Sequence, residues 1–206
     1  MRQGRVRMKW LLLPLLIPGT ALGQARPEND FANIIQNAGH HEAVLDAARQ
    51  TPAWAQTGCV SAAFNEAPEI GIYVPVQFNP SGEPVAGEWR EGIVATGCGA
   101  AITLNVLTKV TGTATLATGP LLPGGTIADP VLQNAAQSNA VLAAGGLPPG
   151  CKDAFVANTA FAGYEGNPPN PPWQEVWTLN FCGASKRVVM HFAPSGQAIT
   201  VTAKPG

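Results

Sequence analysis

The chain changes hydrophobic period three times, and those changes set out its elements. Between Pro27 and Gln50 apolar positions recur at helical spacing, as Phe31, Ile34 and Ile35, then as Val44, Ala47 and Ala48. This predicts two helical pieces, capped by Asp30, broken at Gly39 and stopped by Pro52. From Ile70 the period falls to two: Ile70, Ile72, Val74 and Val76 alternate with Gly71, Tyr73, Pro75 and Gln77. Pro75 cannot donate to a ladder and assigns this strand to a sheet edge. "NPSG" turns the chain, and "EWREGIVATG", "AITLNVLTKV" and "TGTATLAT" continue an antiparallel meander. Asp129-Pro130 opens another helix reaching about Ala144, with Asp as cap and proline in the first turn. After the proline-rich loop "GYEGNPPNPPW", three strands follow: "QEVWTLNF", "KRVVMHFAP" and "QAITVTAK".

The second half repeats the first. "WREGIVATGCG" at Trp89 to Gly99 and "WQEVWTLNFCG" at Trp173 to Gly183 both read Trp, any residue, Glu, six further residues, Cys-Gly. "AVLDAARQ" at Ala43 to Gln50 matches "PVLQNAAQ" at Pro130 to Gln137, and "CVSAAF" matches "CKDAF". The fold class expected is α+β: two related units, residues 24–118 and 119–206, each placing a helix on an antiparallel meander, joined at "TGPLLPGGTIADP".

The N-terminus alters the charge balance. "MRQGRVRMK" carries four bases and no acid, then comes the apolar run "WLLLPLLIPGTAL" with small residues Ala21 and Gly23 before Gln24. This is the layout of a secretory signal peptide over residues 1–23, and Pro14, Pro18 and Gly19 interrupt it as a membrane span. Its removal leaves 8 bases against 13 acids, a net charge near −5. Clustered positive charge is missing, which excludes nucleic acid and disfavours an anionic membrane surface as partners. A periplasmic or secreted location is expected.

All four cysteines lie in the exported part, and an even count there reads as two disulfides. The spacing and the repeat pair Cys59 with Cys98 and Cys151 with Cys182, one bridge per unit. No C-x-x-C or H-x₃-H pair occurs, so neither a metal nor a cofactor is expected.

Strand alternation puts Trp173, Glu175, Trp177, Leu179 and Phe181 on one face, and Trp89, Glu91, Ile93 and Ala95 on the equivalent face of the first unit. Trp89, Glu91, Trp173, Glu175 and Trp177 are the candidate ligand face, since indole rings stack on sugars or peptide side chains while a carboxylate accepts their hydrogen bonds. The competing reading makes them core, with each Glu near a strand end, exposed or paired with Arg90, Arg187 or a backbone amide. As a carboxylate pair, Glu91 and Glu175 would suit glycoside hydrolysis only if they faced one cleft. His40-His41, at a helix start, is expected to be a solvated cap, and His191 structural. No Ser nucleophile elbow, P-loop or H-E-x-x-H occurs.

"WQEVWTLNFCG" with "RVVMHFAPSG" resembles a family of small exported proteobacterial proteins and lipoproteins that has no assigned activity. The resemblance implies an envelope location. "EPVAG" at Glu83 to Gly87 and "PWQ" at Pro172 to Gln174 are similar to the wedge hairpins of cystatins, implying a protease inhibitor, although Glu83 stands where that motif has Gln. "IYVPVQFNPSGEPV" is similar to the central hairpin of the TonB C-terminal domain. The expected role is an exported, non-catalytic binding or interaction module, its partner an envelope protein or glycan. The alternatives are a glycan hydrolase and a cystatin-like inhibitor.

Overall fold

The computed structural model describes residues 27–206 apart from Cys98 and Pro168; the expected signal peptide lies outside the described residues. The architecture is α+β, with two antiparallel sheets. In chain order the first unit comprises α1 (Pro27–Ile35), α2 (Ala38–Arg49), α3 (Pro52–Thr57), β1 (Ala63–Phe64), β2 (Glu69–Phe78), β3 (Pro84–Thr96), β4 (Ile102–Gly112) and β5 (Thr115–Pro120). The second comprises α4 (Pro130–Ala143), β6 (Ala154–Tyr164), β7 (Trp173–Phe181), β8 (Ala184–Ser195) and β9 (Ala198–Pro205).

Helix boundaries follow capping chemistry more than glycine positions. The break between α1 and α2 falls at Asn37, whose extended backbone and side chain cap α2 through a 3.1 Å bond from the His40 amide. Gly39 therefore sits inside the first turn of α2, and Asp30 lies within the first turn of α1 instead of capping it. Pro52 ends α2 as expected but also starts α3, with Thr51 as its cap. Asp129 caps α4, accepting from the Leu132 amide at 2.8 Å.

The sheets are β2-β3-β4-β5, with β1 in line with β2 on the outer edge of β3, and β6-β7-β8-β9. β2 is an edge strand, as Pro75 requires. Register shifts at Ile72/Val74 and at Val74/Gln77 break the strict alternation expected of it. The second sheet has four strands where the hydrophobic pattern showed three. β6, "AFVANTAFAGY", is diluted by alanine and bulged at Val156/Asn158 and Phe161/Gly163, so it never displays a clean period of two.

Each unit is a helix on the Trp-Glu face of a meander, and each has its own buried core. Val44, Ala47 and Ala48 pack with Ile93, Leu104 and Val106 in the first; Ala136 and Ala140 pack with Trp177, Leu179 and Met190 in the second. The helix echo read from sequence is out of register: Val44 is fully buried, whereas its apparent match Val131 is 80% exposed. Counted from the caps Asn37 and Asp129, the equivalents of Val44 and Ala48 are Ala136 and Ala140, all fully buried.

The Cys151–Cys182 bridge is formed, with Cα atoms 5.8 Å apart, tying the segment after α4 to the turn after β7. The expected Cys59–Cys98 bridge involves Cys98, which lies outside the described residues.

The joint between the units is hydrogen-bonded to both. The Leu121 and Gly124 amides donate to Asn105 and Thr103 of β4, at 2.8 and 2.9 Å, prolonging the β5 side of that ladder. The same segment then pairs with the free edge of β6, Thr159 donating to Pro123 at 2.9 Å and accepting from Gly125 at 2.7 Å. Asn105 and Arg90, on the outer face of the first sheet, hold the carbonyls of Leu122, Gly124 and Thr126. The two halves are thus bridged edge to edge by one strand-like connection. Gly124 has φ +96°, and a Cβ there would lie 2.1 Å from the Thr159 carbonyl oxygen. Gly124→Ala is expected to destabilise the protein by about 3 kcal/mol, summing a left-handed alanine and two broken bonds. Urea unfolding would read this as a lowered midpoint, with the joint amides losing exchange protection first.

Candidate functional site

The duplicated Trp-x-Glu is a buried carboxylate held by indoles. On a strand, residues i and i+2 share a face, so the Glu side chain reaches its tryptophan neighbours along the same side. In the second unit Glu175 is fully buried: Oε1 accepts from the Trp173 indole at 3.1 Å and the Ile127 amide at 3.0 Å, and Oε2 from the Trp177 indole at 2.7 Å. In the first unit Glu91 Oε1 accepts from the Trp89 indole at 2.9 Å, from Thr108 Oγ1 at 3.0 Å and from His40 Nε2 at 2.7 Å. These donors replace the water each carboxylate loses, which is the condition for keeping it in a core.

The two copies differ in who supplies the donors. Ile93 stands where the second unit has Trp177, and Thr108, opposite Trp89, stands where Phe192 stacks on Trp173 at 4.9 Å. The first copy therefore recruits His40 from α2. Trp89 is closed off from solvent by Phe31 of α1, edge-on at 5.2 Å.

Two sequence expectations are corrected here. His40 is not a solvated cap: Asn37 takes that role, and His40, 8% exposed, points to the sheet. The signal was available, because His40 continues the helical stripe Val44, Ala47, Ala48 by one turn. Glu91 and Glu175 are not at exposed strand ends, and neither pairs with Arg90 or Arg187; of the expected partners only a backbone amide occurs, that of Ile127. Arg90 instead bonds Glu69 at 2.8 Å. His191 lies on the outer face of the second sheet, where its Nε2 pairs with Glu165 at 2.9 Å.

Sequence reasoning did not locate the cavities: among several, including one of about 470 Å³ bordered by Trp54, Ile102 and Asn158, two lie at sheet ends beside the Trp-x-Glu clusters. One, of about 480 Å³, lies at the end of the first sheet between the α1–α2 elbow and the turns joining β2 to β3 and β4 to β5; Asp30, Ile34, Asn37, His40, Pro84 and Leu116 border it. The other, of about 610 Å³, lies at the corresponding end of the second sheet, bordered by Ile127, Tyr164, Pro171, Trp173, Pro194 and Ile199. Each touches its Trp-x-Glu cluster through a residue bonded to the carboxylate, His40 in the first and Trp173 with Ile127 in the second. The first lining mixes Asp30, Asn33 and Asn37 with aliphatic residues, the second is aromatic and proline-rich. Of the candidate ligand face, Trp173 borders the second cavity, and it is only 8% exposed. The two cystatin-like stretches border different cavities, Pro84 the first and Trp173 the second.

The rim of the second cavity is tethered through Glu165, which accepts from Gln174 and pairs with His191 Nε2 at 2.9 Å. The Gln174 hydrogen bond, then that of His191, holds its carboxyl below the usual 4.5. A depressed folded-state value means the tether is complete above the ordinary carboxylate range and is lost as pH falls through the folded value. Acidification from about pH 4.5 downward is expected to free the loop after Tyr164 while the cores persist, read as loss of amide protection confined to the residues following Tyr164.

Among the described residues, no three His, Cys, Asp or Glu side chains cluster so as to hold a metal ion. Comparison with known proteins finds no matching family model, no matching curated protein and no matching solved structure.

Proposed function

We propose that the protein is an exported, non-catalytic binding module of the bacterial cell envelope, with one ligand cavity in each of two related units. The observation that carries this reading is the pair of cavities at corresponding ends of the two sheets, each beside a Trp-x-Glu cluster and each lined differently. A duplicated scaffold with diverged linings fits two recognition sites better than one divided active centre. The hydrolase alternative needs Glu91 and Glu175 across a shared cleft, yet each is buried in its own sheet, Glu91 bonded through Oε1 and Glu175 through both oxygens to core donors. The inhibitor alternative needs Trp173 as a wedge, and its ring is stacked on Phe192. The Cys151–Cys182 bridge fits a compartment outside the cytoplasm, and among the described residues no helix is long and apolar enough to cross a membrane.

The test is an NMR titration of the ¹⁵N-labelled mature protein with soluble muropeptides and with extended proline-containing peptides, followed by mass analysis of the added compounds. Saturable shifts confined to residues around Tyr164 and Ile199, or around Ile34 and Leu116, with the compounds recovered intact, are expected. Cleaved glycan would establish the hydrolase instead. Shifts at neither cavity would remove the binding reading.

A further inference from the structure

We infer that the outer face of α4 joins two copies of this chain as an antiparallel helix pair about a twofold axis. This goes beyond the binding reading above and stands independently of it. Val131 and Leu142 are 80% and 72% exposed. With 3.6 residues per turn they lie within about 20° of each other around α4, and the exposed Ala135 and Ser138 fall between them on the same stripe. That stripe is opposite Gln133, Ala136 and Ala140, the residues α4 buries. The duplicated scaffold supplies an internal comparison. Counted from the caps Asn37 and Asp129, the exposed Glu42 and Asp46 of α2 correspond to Asn134 and Ser138 of α4. α2 thus has an ordinary charged outer face. α4 has no charged residue along its length, and Asp129 is the only one between Lys109 and Lys152. An exposed helix face without charge, ended by large apolar side chains, is a contact surface.

What covers it follows from charge and from the order of the residues. The exported chain carries 8 bases against 13 acids, so two copies repel unless they meet where charge is missing. A twofold contact sets one patch against itself and doubles any charge on it, which α4 avoids and α2 would not. The stripe is also self-complementary when antiparallel. With the axis between Ala136 and Gln137, Val131 of one copy meets Leu142 of the other, and Ala135 meets Ser138. The small central residues let the helices approach, and the large ones close both ends. Ile127 and Leu147, 43% and 53% exposed, flank the two ends of α4, so the same order brings Ile127 of each copy toward Leu147 of the other. The two Asp129 carboxylates then stand about 22 Å apart along the helices, whereas a parallel pair would set them side by side. Such a contact buries on the order of 1,000 Å² in all, the lower end for a specific interface, and micromolar association is expected of it.

The experiment is sedimentation velocity of the mature protein over about 1–300 µM. A reversible monomer–dimer equilibrium with its midpoint on the order of 10–100 µM is expected. Val131→Lys alone and Leu142→Glu alone should each weaken association by about tenfold or more, because a charge is then buried against an apolar partner. Both positions are exposed in one copy, so far-ultraviolet dichroism and the urea midpoint should stay unchanged. Mixed one to one, the two variants should associate again: the introduced lysine faces the introduced glutamate at one end, and the unchanged Leu142 and Val131 meet at the other. That recovery belongs to the antiparallel pairing of these two positions and to no contact made through the cavities or a sheet edge. Val74→Lys, on the exposed edge of β2, should leave association unchanged. A monomer throughout, association untouched by either variant, or no recovery in the mixture would each overturn the pairing. So would a monomer that floats with phosphatidylethanolamine–phosphatidylglycerol vesicles and no longer does so as Val131→Lys, which would give the face to lipid.

Discussion

Replacing Glu175 with alanine is expected to cost the second unit about 5 kcal/mol, because two buried indoles and a part-buried amide lose their acceptor and a cavity opens among them. The orphans would be the indoles of Trp173 and Trp177 and the amide of Ile127. Domains are typically stable by about 5–15 kcal/mol, so this loss approaches the whole of a unit's margin. Glu175→Gln keeps the shape but offers one acceptor and one amino group, so at least one indole faces a donor and an intermediate loss is expected. Trp177→Phe removes a donor together with part of its ring and should cost less than either. Urea unfolding followed by tryptophan fluorescence gives the order. A change below about 1 kcal/mol for Glu175→Ala, the size of one ordinary hydrogen bond, would mean that the carboxylate does not organise the core.

The second large effect is expected from the disulfide. Cys151 and Cys182 close a loop of 31 residues, for which the chain-entropy relation gives about 3.7 kcal/mol at 25 °C. The bridge also fixes the turn where Cys182 and Gly183 both take left-handed backbone, at φ 50° and 90°. The double variant Cys151→Ala/Cys182→Ala should lower the urea midpoint of the second unit by that order, and reduction of the wild type should do the same. Loss of the native far-ultraviolet dichroism at 25 °C would show that the unit cannot fold unbridged. An unchanged midpoint would show that the unfolded chain is already restricted where the bridge acts.

What the sequence revealed, and what it hid, follows from the kind of interaction involved. β3, β7 and β8 were visible because their inward residues are large and their outward residues polar, so face and identity coincide. β6 was hidden because bulges move its side chains between faces, and alanine and glycine carry little contrast. α3 was hidden behind Pro52, which ends one helix and begins the next. The Trp-x-Glu repeat announced itself, but composition alone does not reveal whether a carboxylate between tryptophans faces a ligand or a core. Burial decides that, and it depends on α1 and α2 covering Trp89 and on α4 and the joint covering Glu175. His40 shows the same limit from the other side: its place in the helical stripe was legible, its partner on a strand 51 residues away was not. The joint left no local pattern, since its main-chain bonds and the side chains that hold it, Asn105, Arg90 and Thr159, come from segments distant in the chain. The cavities arise where turns from separate hairpins meet the start of α2 in the first unit and the joint at Ile127 in the second, arrangements that no local pattern encodes.

The central claim is that the duplicated Trp-x-Glu is a core clasp, with recognition left to the cavities beside it. Hydrogen exchange of the tryptophan indole protons tests it most directly, measured on protein labelled with ¹⁵N-tryptophan. The indoles of Trp89, Trp173 and Trp177 should exchange only through global unfolding, as slowly as the central strand amides, while half-buried Trp54 exchanges far faster. Indole exchange at Trp89 or Trp177 as fast as at Trp54, in protein whose strand amides remain protected, would contradict the account and return these rings to a ligand face.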